Sequence, residues 1–153
     1  MLDQKTTPRD AELFEAIELF FFAFRAFTAR PDEILAERGL ARLHHRILYF
    51  VARRPGQRVS DLLATLGVSK QALHAPLKQL VEIGLVVVEA DASDGRARCL
   101  SLTAEGAELE ARLSQTQRAL LARVFAGQGA AAELAWRQVM QELAGKPGEG
   151  ESE

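Results

Sequence analysis

The pattern that most constrains this chain is a pair of short helices around a glycine turn. Ser60 is a favourable N-cap residue for a helix over 61–66, and Gly67 supplies a turn directly after it. Ser69 caps a second helix that continues to residue 83. This arrangement predicts a helix-turn-helix.

A hairpin pattern follows the second helix. The valine-rich stretch 85–89 and the alternating stretch 98–102 predict two strands. The turn-forming residues 91–95 lie between them and include an Asp-Gly pair, which is a strong hairpin signal. A hairpin placed after a helix-turn-helix predicts a winged helix.

The flanks of this segment predict further helices. Apolar spacing and helix-breaking residues predict helices over 9–29, 32–38, 41–53, 104–125 and 130–144. We expect Arg30-Pro31-Asp32 to end the first of them and Thr103 to cap the fourth. We therefore predict a mainly α fold with a small β-hairpin wing (α+β). The expected domains are a helical dimerisation region over 10–39 and 104–145, a winged helix-turn-helix lobe over 40–103, and a disordered tail over 146–153.

Charge is distributed unevenly along the chain. The formal net charge is −2, which by itself argues against nucleic acid. Residues 1–39 carry a net −3, residues 40–103 a net +4, and residues 104–153 a net −3. A basic centre between acidic flanks is what a DNA-contacting module on a non-contacting scaffold would show.

The second helix of the pair presents a polar face that suits a DNA groove. Gln71 can pair bidentately with adenine, and Lys70 can donate to guanine or to phosphate. His74 could reach a base edge or a phosphate. Ser69 and Lys78 suit phosphates, which position the protein without specifying sequence. For each residue the alternative is an ordinary solvated surface position.

The hairpin tip carries Arg96 and Arg98 beside Asp94. Arginine on a thin ribbon can enter a narrow minor groove, where the negative potential is enhanced. The alternative is a charged tip in which Asp91 and Asp94 balance the arginines, or in which one of these carboxylates orients an arginine.

The N-terminal helix is unusually aromatic. A second stripe of Phe14 and Phe21 lies beside a first stripe, whose apolar residues repeat at intervals of four and three: Leu13, Ile17, Phe20, Phe24 and Phe27. Two stripes are more than one small domain needs, so we expect a partner; the alternative is an aromatic core helix. The dimerisation residues predicted on this helix and the C-terminal helices are Leu13, Ile17, Phe21, Leu120, Trp136 and Leu143.

Residues 62–106 resemble the core of the multiple-antibiotic-resistance regulator (MarR) family. The wing of that family reads as an Asp, nearby arginines and an alternating strand that ends in Leu-Thr-x-x-Gly. The matching positions in this chain are Asp94, Arg96, Arg98, Leu100, Leu102, Thr103 and Gly106. Chain length and helix order resemble the family over about residues 10–145.

The resemblance implies a homodimer joined by its N- and C-terminal helices. It also implies binding to a pseudo-palindromic operator on double-stranded DNA, usually as a repressor. Many such proteins release DNA when a small aromatic or phenolic effector binds between the dimer helices and the DNA-binding lobe. One departure is Pro76 inside the recognition helix, which removes a backbone donor and clashes with the carbonyl of Ala72. We expect a kink or a tighter first turn there.

Adjacent His44 and His45 point about 100° apart on a helix, so they are poorly placed to share a metal. We expect one of them to line a ligand pocket with Tyr49, Phe20 and Phe24; the alternative is a satisfied, partly buried histidine.

The sequence shows no catalytic constellation and no motif around its one cysteine, Cys99. We predict a protein that is not an enzyme and that holds no metal and no cofactor.

The longest apolar run, Leu19 to Phe24, has six residues, whereas a spanning helix needs about 20. The first residues lack the pattern of a secretory signal, so we expect a cytoplasmic protein that binds no membrane. Two functions fit: a ligand-responsive dimeric repressor, or a winged-helix module that docks another protein without reading DNA.

Overall fold

The computed structural model describes residues 6–145. In chain order the elements are α1 (Pro8–Ala36), α2 (Arg42–Arg53), β1 (Gln57–Arg58), α3 (Val59–Leu66), α4 (Lys70–Glu82), β2 (Val86–Ala90), β3 (Arg98–Leu102), α5 (Ala104–Gln128) and α6 (Ala130–Ala144). The architecture is mainly helical with a small antiparallel sheet, which confirms the predicted fold class. None of these helices reaches the length and apolarity that crossing a bilayer would require.

The first helix continues through the proline that was expected to end it. Pro31 lies inside α1 and is buried, as are Ile34 and Leu35 one turn further on. A proline in a helix interior costs about 3 kcal/mol. Burial of two large apolar side chains recovers about 1.5–3 kcal/mol each, so packing outweighs the local penalty. The predicted break at 30–32 and the separate helix over 32–38 are therefore wrong.

The helix-turn-helix forms where it was predicted. Gly67 adopts a left-handed φ of 64° at the end of α3, and the Ser69 hydroxyl accepts a hydrogen bond from the Ala72 N–H at 3.1 Å. The start of α3 differs from the prediction. Arg58, not Ser60, is its N-cap residue, and Asp61 Oδ2 accepts from the Arg58 backbone N–H at 3.1 Å.

Pro76 does not interrupt the recognition helix, because α4 is continuous from Lys70 to Glu82. Its ring is half-buried, while Ala72, whose carbonyl loses its helical donor, is exposed. Water can therefore solvate that carbonyl, which lowers the cost of the missing hydrogen bond.

The sheet has three strands in the order β1-β3-β2, all antiparallel. The hairpin strands pair Val86 with Leu102 and Ala90 with Arg98 at their two ends. The two-residue strand β1 was not predicted; its Gln57 lies opposite Leu100. Buried Gln57 donates from Nε2 to the Phe50 carbonyl at 2.6 Å, and thereby satisfies the end of α2.

The hydrophobic core lies between α2, α3, α4, the hairpin and the start of α5. Its centre consists of fully buried side chains from these elements: Ile47, Leu48, Val51, Leu62, Leu80, Leu85, Leu100 and Leu113. Val81, which follows fully buried Leu80 in α4, is 38% exposed.

Strand β3 passes directly into α5 through a tight junction. Thr103 donates its backbone N–H to the Leu85 carbonyl at 3.1 Å, and its hydroxyl donates to the Gly84 carbonyl at 2.6 Å. The same hydroxyl accepts from the Gly106 N–H at 3.0 Å, which caps α5 as predicted. A Cβ on Gly106 would stand 2.0 Å from the Leu85 carbonyl oxygen, so this close approach requires glycine.

The chain divides into two compact units within α5, Met1–Thr116 and Gln117–Glu153. The second unit holds the end of α5 and α6, where the rings of Phe125 and Trp136 meet edge to face at 5.3 Å. The predicted disordered tail, 146–153, lies outside the described residues.

The Gly106 contact yields a stability prediction. We expect Gly106→Ala to lower the free energy of unfolding by about 1–3 kcal/mol, because the added methyl group overlaps backbone atoms. Urea denaturation followed by circular dichroism measures it. The control is Gly127→Ala, near the end of α5, where an added Cβ meets nothing within 4 Å. That substitution should change the free energy of unfolding by less than about 0.5 kcal/mol. Equal effects of both substitutions would contradict the close contact.

Candidate nucleic-acid interface

The outer face of α4 presents the polar residues that the sequence singled out. Ser69, at the cap, and Lys70, Gln71, His74 and Lys78, along the helix, are all exposed. Lys78 approaches Glu82 at 3.9 Å, an exposed pair of little energetic weight. The face therefore carries hydrogen-bond donors and amide groups that are free to meet the edges of base pairs.

The inner face of α4 is held by burial and by one buried polar contact. Leu73 and Leu80 are almost fully buried. On the same helix, Gln79 Oε1 lies 2.8 Å from Nε2 of His44 in α2. This bond ties the recognition helix to the scaffold, and nothing local in the sequence around Gln79 predicted it.

Both ring nitrogens of His44 are in use. Nδ1 accepts a hydrogen bond from the Ala41 backbone N–H at 2.9 Å, so that nitrogen carries no proton. The proton then belongs to Nε2, which donates to Gln79. His44 thus caps α2 and orients α4 at once, which corresponds to the satisfied-histidine alternative.

The wing loop is longer than a two-residue hairpin turn. It spans 91–97, and the Asp91 N–H bonds to the Ala97 carbonyl at 3.0 Å. Within it, the Ala97 N–H donates to the Asp94 carbonyl at 3.0 Å, so Asp94 and Gly95 lie in a tight turn, as the sequence indicated, although Gly95 has no left-handed φ. Asp94 Oδ1 also accepts from the Arg96 N–H at 3.1 Å, a local bond that stabilises the turn.

The wing arginines are exposed, and of the two neighbouring aspartates Asp91 forms an ion pair with an arginine outside the wing. Arg96 and Arg98 both lie at the surface. Asp91 pairs with Arg58, at 3.0 Å to its Nε and to its Nη2. One wing carboxylate therefore does orient an arginine, but the arginine is 33 residues away in β1.

The residues predicted for a ligand pocket are not gathered in one place by the contacts in this structure. His44 and His45 are buried and Tyr49 is half-buried in α2, whereas Phe20 and Phe24 in α1 are exposed. Phe24 meets this region through the Arg42 guanidinium, 5.5 Å from its ring centroid.

Polar contacts link α2 to α5 near His45 and Tyr49. Buried Glu110 in α5 accepts from Arg53 Nη2 at 3.1 Å and from the Ser114 hydroxyl at 2.5 Å. Arg53 also stacks on Tyr49, 5.0 Å from the ring centroid. His45 Nε2 is buried without a hydrogen-bond partner among the described residues, and desolvation lowers the pKa of this imidazole. An unsatisfied buried nitrogen is a place where a polar ligand atom would be favoured.

An open groove of about 480 Å³ lies at the start of α2, lined by Asp32, Leu40, Ala41, Arg42 and Leu43. Arg42 donates there to Asp32 from Nε at 3.0 Å and from Nη2 at 2.9 Å. Among the described residues, no three or more His, Cys, Asp or Glu side chains lie close enough together to hold a metal ion, in this groove or elsewhere.

The residues predicted for dimerisation are mostly exposed. Leu13, Ile17 and Phe21 in α1 are exposed, as are Trp136 and Leu143 in α6, while Leu120 in α5 is half-buried. Phe14, Phe20, Phe21 and Phe24 of the two stripes are also exposed, whereas Phe27, at the end of the first stripe, is half-buried.

Comparison with known proteins identifies relatives over most of the chain. A family model described as MarR family matches residues 38–97. The HTH-type transcriptional regulator PetP of Rhodobacter capsulatus is 41% identical over 134 residues, which cover 88% of this chain and 81% of PetP.

Two further proteins are similar. The HTH-type transcriptional repressor Rv2887 of Mycobacterium tuberculosis is 29% identical over 74% of this chain and 84% of its own length. Its crystal structure with p-aminosalicylic acid matches with a TM-score of 0.57 at 24% identity, over 83% of this chain and 96% of that one. The structure of NadR with 4-hydroxyphenylacetate matches with a TM-score of 0.68 at 23% identity, over 94% and 97%. These structural likenesses establish the fold.

Two glutamines of α4 should contribute differently to stability, because one bonds to α2 and the other is exposed. We expect Gln79→Ala to lower the free energy of unfolding by about 1–3 kcal/mol, because it leaves the buried His44 Nε2–H without its acceptor. Gln71→Ala, on the exposed face, should change it by less than about 0.5 kcal/mol. Denaturant titration of both variants decides the point; a Gln79→Ala variant as stable as wild type would show that the bond contributes nothing.

Proposed function

This chain belongs to the MarR family of DNA-binding transcriptional regulators, and we propose that it acts as a homodimeric repressor that a small aromatic ligand releases from its operator. The observation that carries the proposal is the exposed, acid-poor face of α4 beside a wing that displays two arginines. A helix of this kind fits the major groove, while the wing reaches the adjacent minor groove.

Each residue of the α4 face has a distinct part in the proposal. Gln71 reads a base edge, and Lys70 contacts guanine or phosphate. Ser69 uses its oxygen to accept from Ala72, so its hydroxyl proton stays available for a phosphate oxygen. His74 reaches a base edge or a phosphate, and Lys78 reaches a phosphate once it leaves its weak pairing with Glu82.

The homodimer is supported by apolar side chains that an isolated chain leaves in water. Along α1, eight large apolar residues from Leu13 to Phe24 are 42–64% exposed. In α6, Leu134, Trp136, Val139 and Leu143 are also exposed. Apolar exposure on this scale on each helix is typical of an interaction site, and two-fold pairing with a second copy would bury it.

The ligand is supported by the unsatisfied Nε2 of His45. A carboxylate or phenol of an aromatic acid would supply its missing partner, and Tyr49, Phe20 and Phe24 would supply rings near it. Relatives solved with 4-hydroxyphenylacetate and with p-aminosalicylic acid support this class. We propose that the protein has no catalytic activity, cofactor or metal, and that it binds its operator in the cytoplasm.

The decisive experiment is fluorescence anisotropy at 50 and 200 mM salt. The probes are DNA from upstream of the protein's own gene and a scrambled duplex. A repressor binds the first duplex selectively, and log K falls with log salt by about 0.9 per phosphate contact. A protein-docking module would bind neither. In the same assay, 4-hydroxyphenylacetate and p-aminosalicylate test release; no effect of either would remove the support for an aromatic-acid ligand.

We expect Arg96→Ala with Arg98→Ala to weaken operator binding and reduce the salt slope by about one unit per lost contact. The variant should unfold at the wild-type temperature, because both side chains are exposed. Arg30→Ala with Arg123→Ala removes the same charge outside α4 and the wing and serves as the control. Equal weakening in both double variants would reject a specific role for the wing.

We expect Phe20→Asp or Phe24→Asp to dissociate the dimer, because a carboxylate would be buried without a partner. Sedimentation velocity reports the mass, and circular dichroism reports the helix content. Phe20→Leu, which keeps an apolar side chain, should remain dimeric. A well-folded dimer that carries the aspartate would exclude this face from the interface.

A further inference from the structure

Asp91 is the first residue of the wing loop, directly after β2, and this end of the loop is called the wing base below; both of its carboxylate oxygens are occupied. Oδ1 accepts from the backbone N–H and from the hydroxyl of Ser93, each at 2.8 Å. Oδ2 accepts from Nε and Nη2 of Arg58, each at 3.0 Å. The Cys99 thiol lies 3.6 Å from the same oxygen. This carboxylate is the polar hub of the wing base.

The other half of the pair belongs to the helix-turn-helix. Arg58 lies in β1 opposite Cys99 of β3, and it is also the N-cap residue of α3. Its backbone N–H is held by Asp61 at 3.1 Å. Because α3 leads through Gly67 into α4, the Arg58 side chain connects the base of the wing with the elements that carry the recognition helix.

The pair remains charged across the physiological range. The two hydrogen bonds from Ser93, and then the Arg58 guanidinium, hold the pKa of Asp91 far below its usual range. The folded-state pKa is depressed, so the ion pair is present at neutral pH and is lost only in strong acid. Asp91 is also the less exposed partner, at 18% against 43% for Arg58.

Asp94 provides a contrast within the same loop. Its Oδ1 accepts only the local Arg96 N–H at 3.1 Å among the bonds described for it. Both aspartates add one negative charge near the proposed DNA face, but Asp91 alone of the two is joined to the helix-turn-helix.

We propose that Arg58 and Asp91 form a clamp that sets the angle of the wing relative to α4, and that both are positioning residues for DNA binding. The proposal rests on the proposed function, since it concerns how the wing arginines reach a groove. Two Arg58 donors are committed to Asp91, so its part is to hold Arg96 and Arg98 in place.

The direction in which Asp91→Asn changes DNA affinity tests the clamp. Asp91→Asn removes a negative charge beside polyanionic DNA, so electrostatics alone would tighten binding. Loss of the clamp would weaken it. We expect Asp91→Asn to weaken operator binding by about tenfold and to reduce the salt slope although no cation is lost, because Arg96 and Arg98 no longer hold their positions. Asp94→Asn is the matched control and should bind as well as wild type or better.

Two further variants complete the test. In the Arg96→Ala, Arg98→Ala background, Asp91→Asn should have no further effect, because the clamp acts through those arginines. Arg58→Gln should weaken binding as Asp91→Asn does, and combining the two should cost no more than either one. Thermal unfolding checks that each variant is folded.

The outcomes separate the two hypotheses. Wild-type protein that binds neither duplex refutes the proposed function itself. Wild-type protein that binds, with Asp91→Asn equal or tighter, overturns the clamp. A loss in Arg58→Gln alone, with the slope lower by about one, also overturns it and makes Arg58 a direct phosphate contact.

Discussion

The winged-helix lobe depends on the junction where β3 becomes α5. Thr103 holds the segment that follows α4 through two bonds, to Gly84 and to Leu85, and it also caps α5. Gly106 lets the first turn of α5 come into contact with the Leu85 carbonyl. One point therefore fixes the end of the recognition helix, the return of the wing and the start of the long helix. A larger residue at 106 would force these three elements apart.

Hydrogen bonds inside the lobe orient its helices and leave the outer face of α4 free. His44 in α2 bonds to Gln79 in α4. Gln57 bonds to the carbonyl of Phe50 and so satisfies the end of α2. The exposed residues Lys70, Gln71 and His74 take no part in this network. This separation suits a DNA-reading helix, because a rigid inner face lets the outer face keep its geometry when it meets a groove.

The first helix has the opposite character. It is 29 residues long, but its buried residues lie only in its last three turns, from Thr28 to Leu35. The aromatic part before them is left in solvent by a single chain, at a considerable cost in apolar exposure. A second copy is the partner that the proposed function supplies, and it would give the stripes the burial that this chain alone does not provide.

The sequence by itself determined the elements whose signals are local. The Gly67 turn, the Ser69 and Thr103 caps, the hairpin strands and the exposed polar face of α4 all follow from residues within a few positions of one another. Only the tertiary structure decided the rest. The helix continues through Pro31 because Pro31, Ile34 and Leu35 are buried in the folded chain. Strand β1 forms only because β3 offers it a neighbour, and the pairs His44–Gln79 and Arg58–Asp91 join residues more than 30 positions apart. Such contacts leave no periodic or nearest-neighbour signal, because their energy arises only after the chain has folded.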